Sequence, residues 1–199
     1  MRSEEILTIF PTAVVARYVN KEHEEIDLST LEFLQNDTAS GQTTSPHLNV
    51  LERDPRFEKL SAFINGCVKD YLQNIICYDY ERFSIIHSWI NRTQNNGFQR
   101  MHNHGNSIVS GCYYLKANRQ NSPLAFMKGE YDSNPHFHIM FTRMNEYNAE
   151  RHRCYVESGC CYLFPSNINH GYEQPNKGGE RISLAFNVML YGIGTSYGL

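Results

Sequence analysis

From Tyr78 onward the apolar residues come in short β-rich runs: RFSIIHSWIN, SIVSGCYYLK, LAFMKG, HFHIMFTRM, CYVESGCCYLF and RISLAFNVML, separated by turn residues. Strands this closely spaced, with no helical stretch between them, predict a sandwich or barrel. Upstream the period changes. Asp54-Pro55 sets a capping side chain before a proline in the first turn, and Phe57, Leu60, Ile64, Val68, Tyr71 and Ile75 recur at steps of three and four. That spacing predicts one helix with an apolar stripe packed on a sheet. ILTIFPTAVVARYV is β-branched and broken by Pro11, as in a bent edge strand. Glu22 to Leu34 predicts one or two short helical turns. Asn36 to Pro46, NDTASGQTTSP, reads as a loop with His47 exposed after it. The chain is therefore mainly β and one domain over 1–199, with helical support at about 22–76 and a β core at about 80–190.

Composition narrows the classes. At 199 residues, 41% hydrophobic and 13% aromatic, the chain can fill one core and is not a disordered protein. A net charge of -3 without a Lys/Arg cluster does not favour nucleic-acid binding. The start MRSEEILTIFP carries acids where an export signal needs bases, and no run approaches the ~20 apolar residues of a membrane span. A cytoplasmic protein with no membrane partner is expected. Cys67, Cys77, Cys112, Cys154, Cys160 and Cys161 lack zinc-type spacing, so free thiols are expected, with Cys160 and Cys161 on opposite faces of one strand.

The candidate chemistry begins in QRMHNHGNSIVSGCYYL. On a strand, residues i and i+2 share a face, so His102 and His104 can offer two imidazoles to one ion. His170, in LFPSNINHGYE after an apolar strand and the Pro165 turn, is the best third ligand. Two near ligands and one distant one describe a facial site, and open positions on the metal mean catalysis rather than a structural plug. An H-x-H pair alone is weak, since His136 and His138 in NPHFHIM repeat it and either pair could lie on a surface turn. Eleven residues after His170 stands Arg181, and alternation puts Arg181, Ser183 and Ala185 on one strand face, with Ile182, Leu184 and Phe186 on the other. An inward guanidinium needs an anion, and its fork matches a carboxylate, to which Ser183 adds a hydroxyl. The alternative is a surface Arg181 paired with Glu180 or Glu173, worth little. The histidine just upstream favours the anion pocket.

The block HNHGNSIVSGCYYL … LFPSNINHGYEQPNKGGERISLAFN, with SWIN upstream, resembles Fe(II)/2-oxoglutarate oxygenases that carry H-x-H before a Ser-Gly-x-Tyr-Tyr strand. Members of that group are common in bacteria and marine phages, and a phage copy would work in the host cytoplasm. The likeness spans Trp89 to Asn187, about half the chain, and TIFPTAVV is similar to the family's opening strand. It implies a double-stranded β-helix (jelly-roll, cupin-like) core. It further implies Fe(II) held by His102, His104 and His170, and 2-oxoglutarate as cosubstrate with its far carboxylate on Arg181 and Ser183. One of Tyr113 and Tyr114 would face the pocket with a phenol, alternation alone not saying which. Asn91, two residues beyond Trp89, is either a contact in that pocket or a turn residue opening NRTQNNG. Most of the wider superfamily has H-x-Asp/Glu, and here His104 takes the carboxylate's place. His104 is then either a third ligand, the favoured reading, or a neighbour of a site completed by water or another residue.

The activity implied is a dioxygenase hydroxylating a peptidyl residue, an amino acid or a small metabolite, giving succinate and carbon dioxide. Its partners would be 2-oxoglutarate, dioxygen and an unidentified substrate, with no side chain acting as nucleophile. A cupin-type three-histidine enzyme without 2-oxoglutarate (thiol dioxygenase or isomerase) is the rival, since GCCYLFPSNINHGYE approximates the second cupin motif. It lacks the glutamate after H-x-H and leaves Arg181 and Ser183 unexplained. A non-catalytic jelly-roll binding module is the third reading. Tyr131 to Arg153 is the expected specificity region, or else a solvated hairpin. The tail LYGIGTSYGL is either flexible or the contact of a homodimer.

Overall fold

The computed structural model describes residues 14–37, 39–128, 142–143, 145 and 148–194. Their strands are β1 (Ala16–Val19), β2 (Leu34–Gln35), β3 (Ala39–Thr44), β4 (Arg82–Gln99), β5 (Val109–Lys116), β6 (Leu124–Met127), β7 (Arg151–Cys154), β8 (Cys160–Pro165), β9 (Asn169–Gly171) and β10 (Arg181–Tyr191). A seven-stranded sheet runs β1-β8-β5-β10-β4-β3-β2, a three-stranded sheet β7-β6-β9, and every pairing is antiparallel. Tyr114, Cys160, Tyr162 and Phe164 of the large sheet pack on Leu124 and Phe126 of the small one, closing a jelly-roll core.

The outer face of the large sheet carries the helices. Asp54 Oδ1 accepts from Arg56 N at 3.0 Å and caps a 3-10 turn, Pro55–Phe57, which runs into α2 (Glu58–Asp70); the short α1 (Val50–Arg53) precedes it. Phe57, Leu60, Ile64 and Val68 pack on Ile182, Leu184, Phe186 and Val188 of β10. The stripe does not continue to Ile75. A π-helical turn at Tyr71–Ile75 widens the helix, so Leu72 turns inward and Ile75 stays 41% exposed. β10 thus has two unlike faces, one sealed by α2 and one open to the space between the sheets.

Two polar segments differ from expectation. Glu22 to Leu34 forms no helix. Turns at 21–22 and 29–30, the latter beside the Ser29 N to Asp27 Oδ1 bond of 2.9 Å, use the backbone groups locally. Asn36 to Pro46 is not only a loop, because β3 adds itself to the edge of β4. Its residues are polar since it is held by ladder bonds rather than apolar burial. Gly41, at φ +60°, meets Gly97 so closely that a Cβ there would sit 2.9 Å from the Gly97 Cα. β4 itself runs through NRTQNNG, so Asn91 is a mid-strand residue and not the start of a turn.

β1 lies at the sheet edge as expected. Cys160 joins the inter-sheet cluster and Cys161 the helix-side cluster, and all six cysteines are free. Among the described residues no helix is long and apolar enough to cross a membrane. Pro11, His136, His138, residues 195–199 and most of 131–147 lie outside the described residues.

Candidate metal centre

His102 and His170 are joined by their backbones: His102 N donates to His170 O at 3.0 Å, and His170 N to His102 O at 2.8 Å. Each ring is then held by its Nδ1, at 2.9 Å from Arg100 O and 3.0 Å from Ile168 O. A carbonyl can only accept, so Nδ1 carries the hydrogen and Nε2 keeps its lone pair for a metal. His104 arrives from the following turn, tethered by its N to Ser166 O at 2.9 Å, with its ring edge-on to Trp89 at 6.0 Å between centroids. One ring nitrogen from each histidine falls within 4.8 Å of the others. Burial, then the neighbouring His102 and His87, lowers the His104 pKa to about 4; burial foremost lowers that of His170 to about 3. Neutral imidazole is the ligating form, so near pH 7 these two rings are ready to bind without first losing a proton.

The loop beneath is fixed by hydroxyls. Ser166 Oγ lies 2.9 Å from Ser107 Oγ and 2.8 Å from Ser110 Oγ, which donates to Asn187 Oδ1 at 2.8 Å. Phe164 packs on His170 at 4.6 Å between centroids and keeps that side dry.

The triad lines a cavity of about 940 Å³ that Arg181 also lines. Arg181 is 2% exposed. It pairs with neither acid that would have made it a surface residue: Glu180 is taken by Arg92 and Lys116, Glu173 by Arg151 and Arg153. Its Nη1 donates to Ser122 O at 3.0 Å and its Nη2 to the Tyr114 hydroxyl at 2.8 Å, while the buried Nε–H has no partner among the described residues. The rings of Tyr172 and Tyr114 lie 4.2 and 4.9 Å from its guanidinium carbon.

β10 pairing puts Asn91, Ser183 and Tyr114 side by side in one row on the inner face. Ser183 and Asn91 line the cavity, and Asn91 Oδ1 is buried without a partner among the described residues. Tyr114 is the inward tyrosine, and burial holds its phenol well above the usual range, hence neutral. Tyr113 lies on the opposite face, away from the cavity, its hydroxyl 2.7 Å from His23 Nδ1 and 3.2 Å from Asn20 Nδ2.

Several residues in or beside the site escape sequence reasoning. Tyr172 follows His170 by two positions in HGYE, and only the stack on Arg181 distinguishes it from a core tyrosine. Ser122 contributes a carbonyl, for which no sequence signal exists. Asn36, Asp37, Ser40 and Gln42 line the cavity from a segment whose composition reads as loop. Three imidazole donors suit an open divalent site, and a buried guanidinium with no carboxylate partner among the described residues, facing the same space, suits a carboxylate. The residues therefore fit a bound iron and an oxoacid.

A family model described as "Putative 2OG-Fe(II) oxygenase" matches residues 87–187. No curated protein matches the chain. Among solved structures, HygX from Streptomyces hygroscopicus with nickel, 2-oxoglutarate and hygromycin B bound superposes with a TM-score of 0.61 at 14% identity, over 89% of this chain and 82% of that one. A Pseudomonas putida prolyl-4-hydroxylase gives 0.57 at 16% identity, over 91% and 95% of the two chains. An oxidoreductase of the 2OG-Fe(II) oxygenase family from Burkholderia pseudomallei gives 0.57 at 11% identity, over 83% and 75%. At these identities the structural likeness speaks for the fold.

Proposed function

The chain belongs to the 2OG-Fe(II) oxygenase family, an oxidoreductase family using Fe(II) and 2-oxoglutarate, and on that premise we propose that it hydroxylates a small polar substrate at a three-histidine iron site. The observation that carries the reading is Arg181: a buried guanidinium whose Nε–H has no partner among the described residues, facing the cavity onto which His102, His104 and His170 converge.

When bound, iron and 2-oxoglutarate supply the oxidising chemistry, dioxygen giving one oxygen atom to succinate and one to the substrate while carbon dioxide leaves. The protein's part is placement. His102 and His170 would offer Nε2 to the metal, because their Nδ1 hydrogens are tied to Arg100 O and Ile168 O. His104 is the third ligand in place of the family's usual carboxylate. Arg181 would hold the far carboxylate of the cosubstrate, with Ser183 and the neutral Tyr114 hydroxyl beside the guanidinium. Phe164 and Leu124 exclude water from the inner wall.

The rim supports a polar substrate. Asn36, Asp37, Ser40, Gln99 and Arg100 border the cavity, and Asp37 and Arg100 make no ion pair among the described residues, leaving one charge of each sign for the ligand. An amino acid or an amino-bearing metabolite matches such a rim better than an apolar molecule.

The test is an anaerobic absorption titration with Fe(II) and then 2-oxoglutarate, followed by succinate assays with a panel of amino acids and amino-bearing metabolites. A visible charge-transfer band requiring both additions, and succinate release stimulated by a panel member, is expected. Iron binding with no such band would defeat the reading.

A further inference from the structure

Arg181 has a long side chain and no carboxylate to hold it among the described residues, so something else must fix its fork. Thr93 of β4 pairs with Arg181 of β10 on one side and with Gln42 of β3 on the other. Gln42, Thr93 and Arg181 therefore stand in one row across three strands, exposed to only 2, 1 and 2%. Tyr172 crosses this row. Its ring stacks on the guanidinium at 4.2 Å, and its hydroxyl lies 3.1 Å from Thr93 Oγ1. Thr93 Oγ1 accepts from Gln42 Nε2 at 2.9 Å, and Gln42 Oε1 from Asn36 Nδ2 at 2.7 Å. The Tyr172 backbone is also tied, N to Gln99 O at 3.0 Å.

We propose that Tyr172 is a positioning residue for the cosubstrate, locked by the Thr93–Gln42–Asn36 chain so that its ring holds the Arg181 fork in the carboxylate-binding orientation. This rests on Arg181 being the carboxylate anchor. Thr93 and Gln42 are buried and Asn36 is partly so, and Tyr172 is tied both at its hydroxyl and at its backbone N, which keeps its ring over the guanidinium. Stacking also leaves the N–H groups in the guanidinium plane available to an anion. Asn36 borders the cavity, so the chain ties its rim to the anchor.

The experiment uses wild type, Thr93→Val, Thr93→Ser and Tyr172→Phe, each loaded anaerobically with Fe(II) and titrated with 2-oxoglutarate. The readouts are the charge-transfer band and, separately, Fe(II) affinity. Thr93→Val is expected to weaken 2-oxoglutarate binding about tenfold, with Thr93→Ser restoring it to within about twofold and iron affinity unchanged. Tyr172→Phe keeps the ring and loses its tether, so it should behave like Thr93→Val, and it carries the test if Thr93→Val does not fold. Unchanged 2-oxoglutarate affinity in Thr93→Val or Tyr172→Phe overturns the proposal, as does equal weakening in Thr93→Val and Thr93→Ser, or parallel loss of iron. A wild type that binds iron but shows no band overturns the Arg181 reading itself, a result distinct from a wild-type band that the variants leave unmoved.

Discussion

His102 and His170 exchange both backbone hydrogen bonds of an isolated antiparallel bridge, at 3.0 and 2.8 Å. One residue follows β4 and the other lies on β9, yet their main chains are fastened to each other before any side chain meets a metal. The candidate site is therefore a product of the ladder, and a metal there would complete a geometry that exists without it.

Metal removal should leave the protein folded. Chelation is expected to lower Tm, and added Fe(II), kept anaerobic, to restore it, by about 2.7 kcal/mol at a hundredfold excess over Kd. His102→Ala and His170→Ala keep the bridge and lose that restoration. Thermal melts with and without metal decide it, and collapse of the chelated wild type to an unfolded chain would show the bridge to be insufficient.

Replacing His104 separates ligand from neighbour. If His104 is the third ligand, His104→Ala should weaken iron binding by at least ~10–100-fold, while His104→Asp, which restores the family's usual carboxylate, should hold the metal far better than alanine does. Direct metal titration reads this. Equal binding by wild type and His104→Ala would make His104 a neighbour of the site.

Arg181→Met should separate binding from stability. Losing the charged partner of a carboxylate is expected to cost roughly 2–5 kcal/mol in 2-oxoglutarate binding. The cosubstrate-free variant should be as stable as wild type or more so, because it no longer buries a charge without a counter-ion. Denaturant melts beside 2-oxoglutarate titrations test both halves. A large loss of stability without cosubstrate would give Arg181 a structural role instead.

On the other face of β10, Leu184 is 0% exposed against the α2 stripe. Leu184→Ala should destabilise by roughly 2–5 kcal/mol, leaving 2-oxoglutarate affinity unchanged in the folded fraction. Urea unfolding gives the first quantity. A variant as stable as wild type would mean that the helix layer contributes little.

Much of this protein is written locally. Alternation along RISLAFNVML sorts Arg181 and Ser183 from Ile182 and Leu184 because a strand has a period of two. His102 and His104 do meet, but not by that rule, since His102 sits in an isolated bridge and His104 in the irregular segment after it; the 3.6-residue period finds α2 and its buried stripe. Failures occurred where the deciding partner is distant in sequence. NDTASGQTTSP has the composition of a loop and becomes β3 because β4 offers it an edge, and the segment at 22–34 stays unwound because Asx-type bonds satisfy its backbone first.

Local period assigns residues to faces but cannot say what covers each face. The sequence by itself therefore determined that Tyr113 and Tyr114 point apart, and that three histidines and one arginine were available. Tertiary structure alone decided that α2 covers the Tyr113 face and the small sheet the Tyr114 face. It alone gave Glu180 to Arg92 and Lys116, so that Arg181 has no carboxylate partner among the described residues. The row Gln42–Thr93–Arg181 likewise exists only once three strands are in register, because cross-strand neighbours are set by ladder pairing between distant segments.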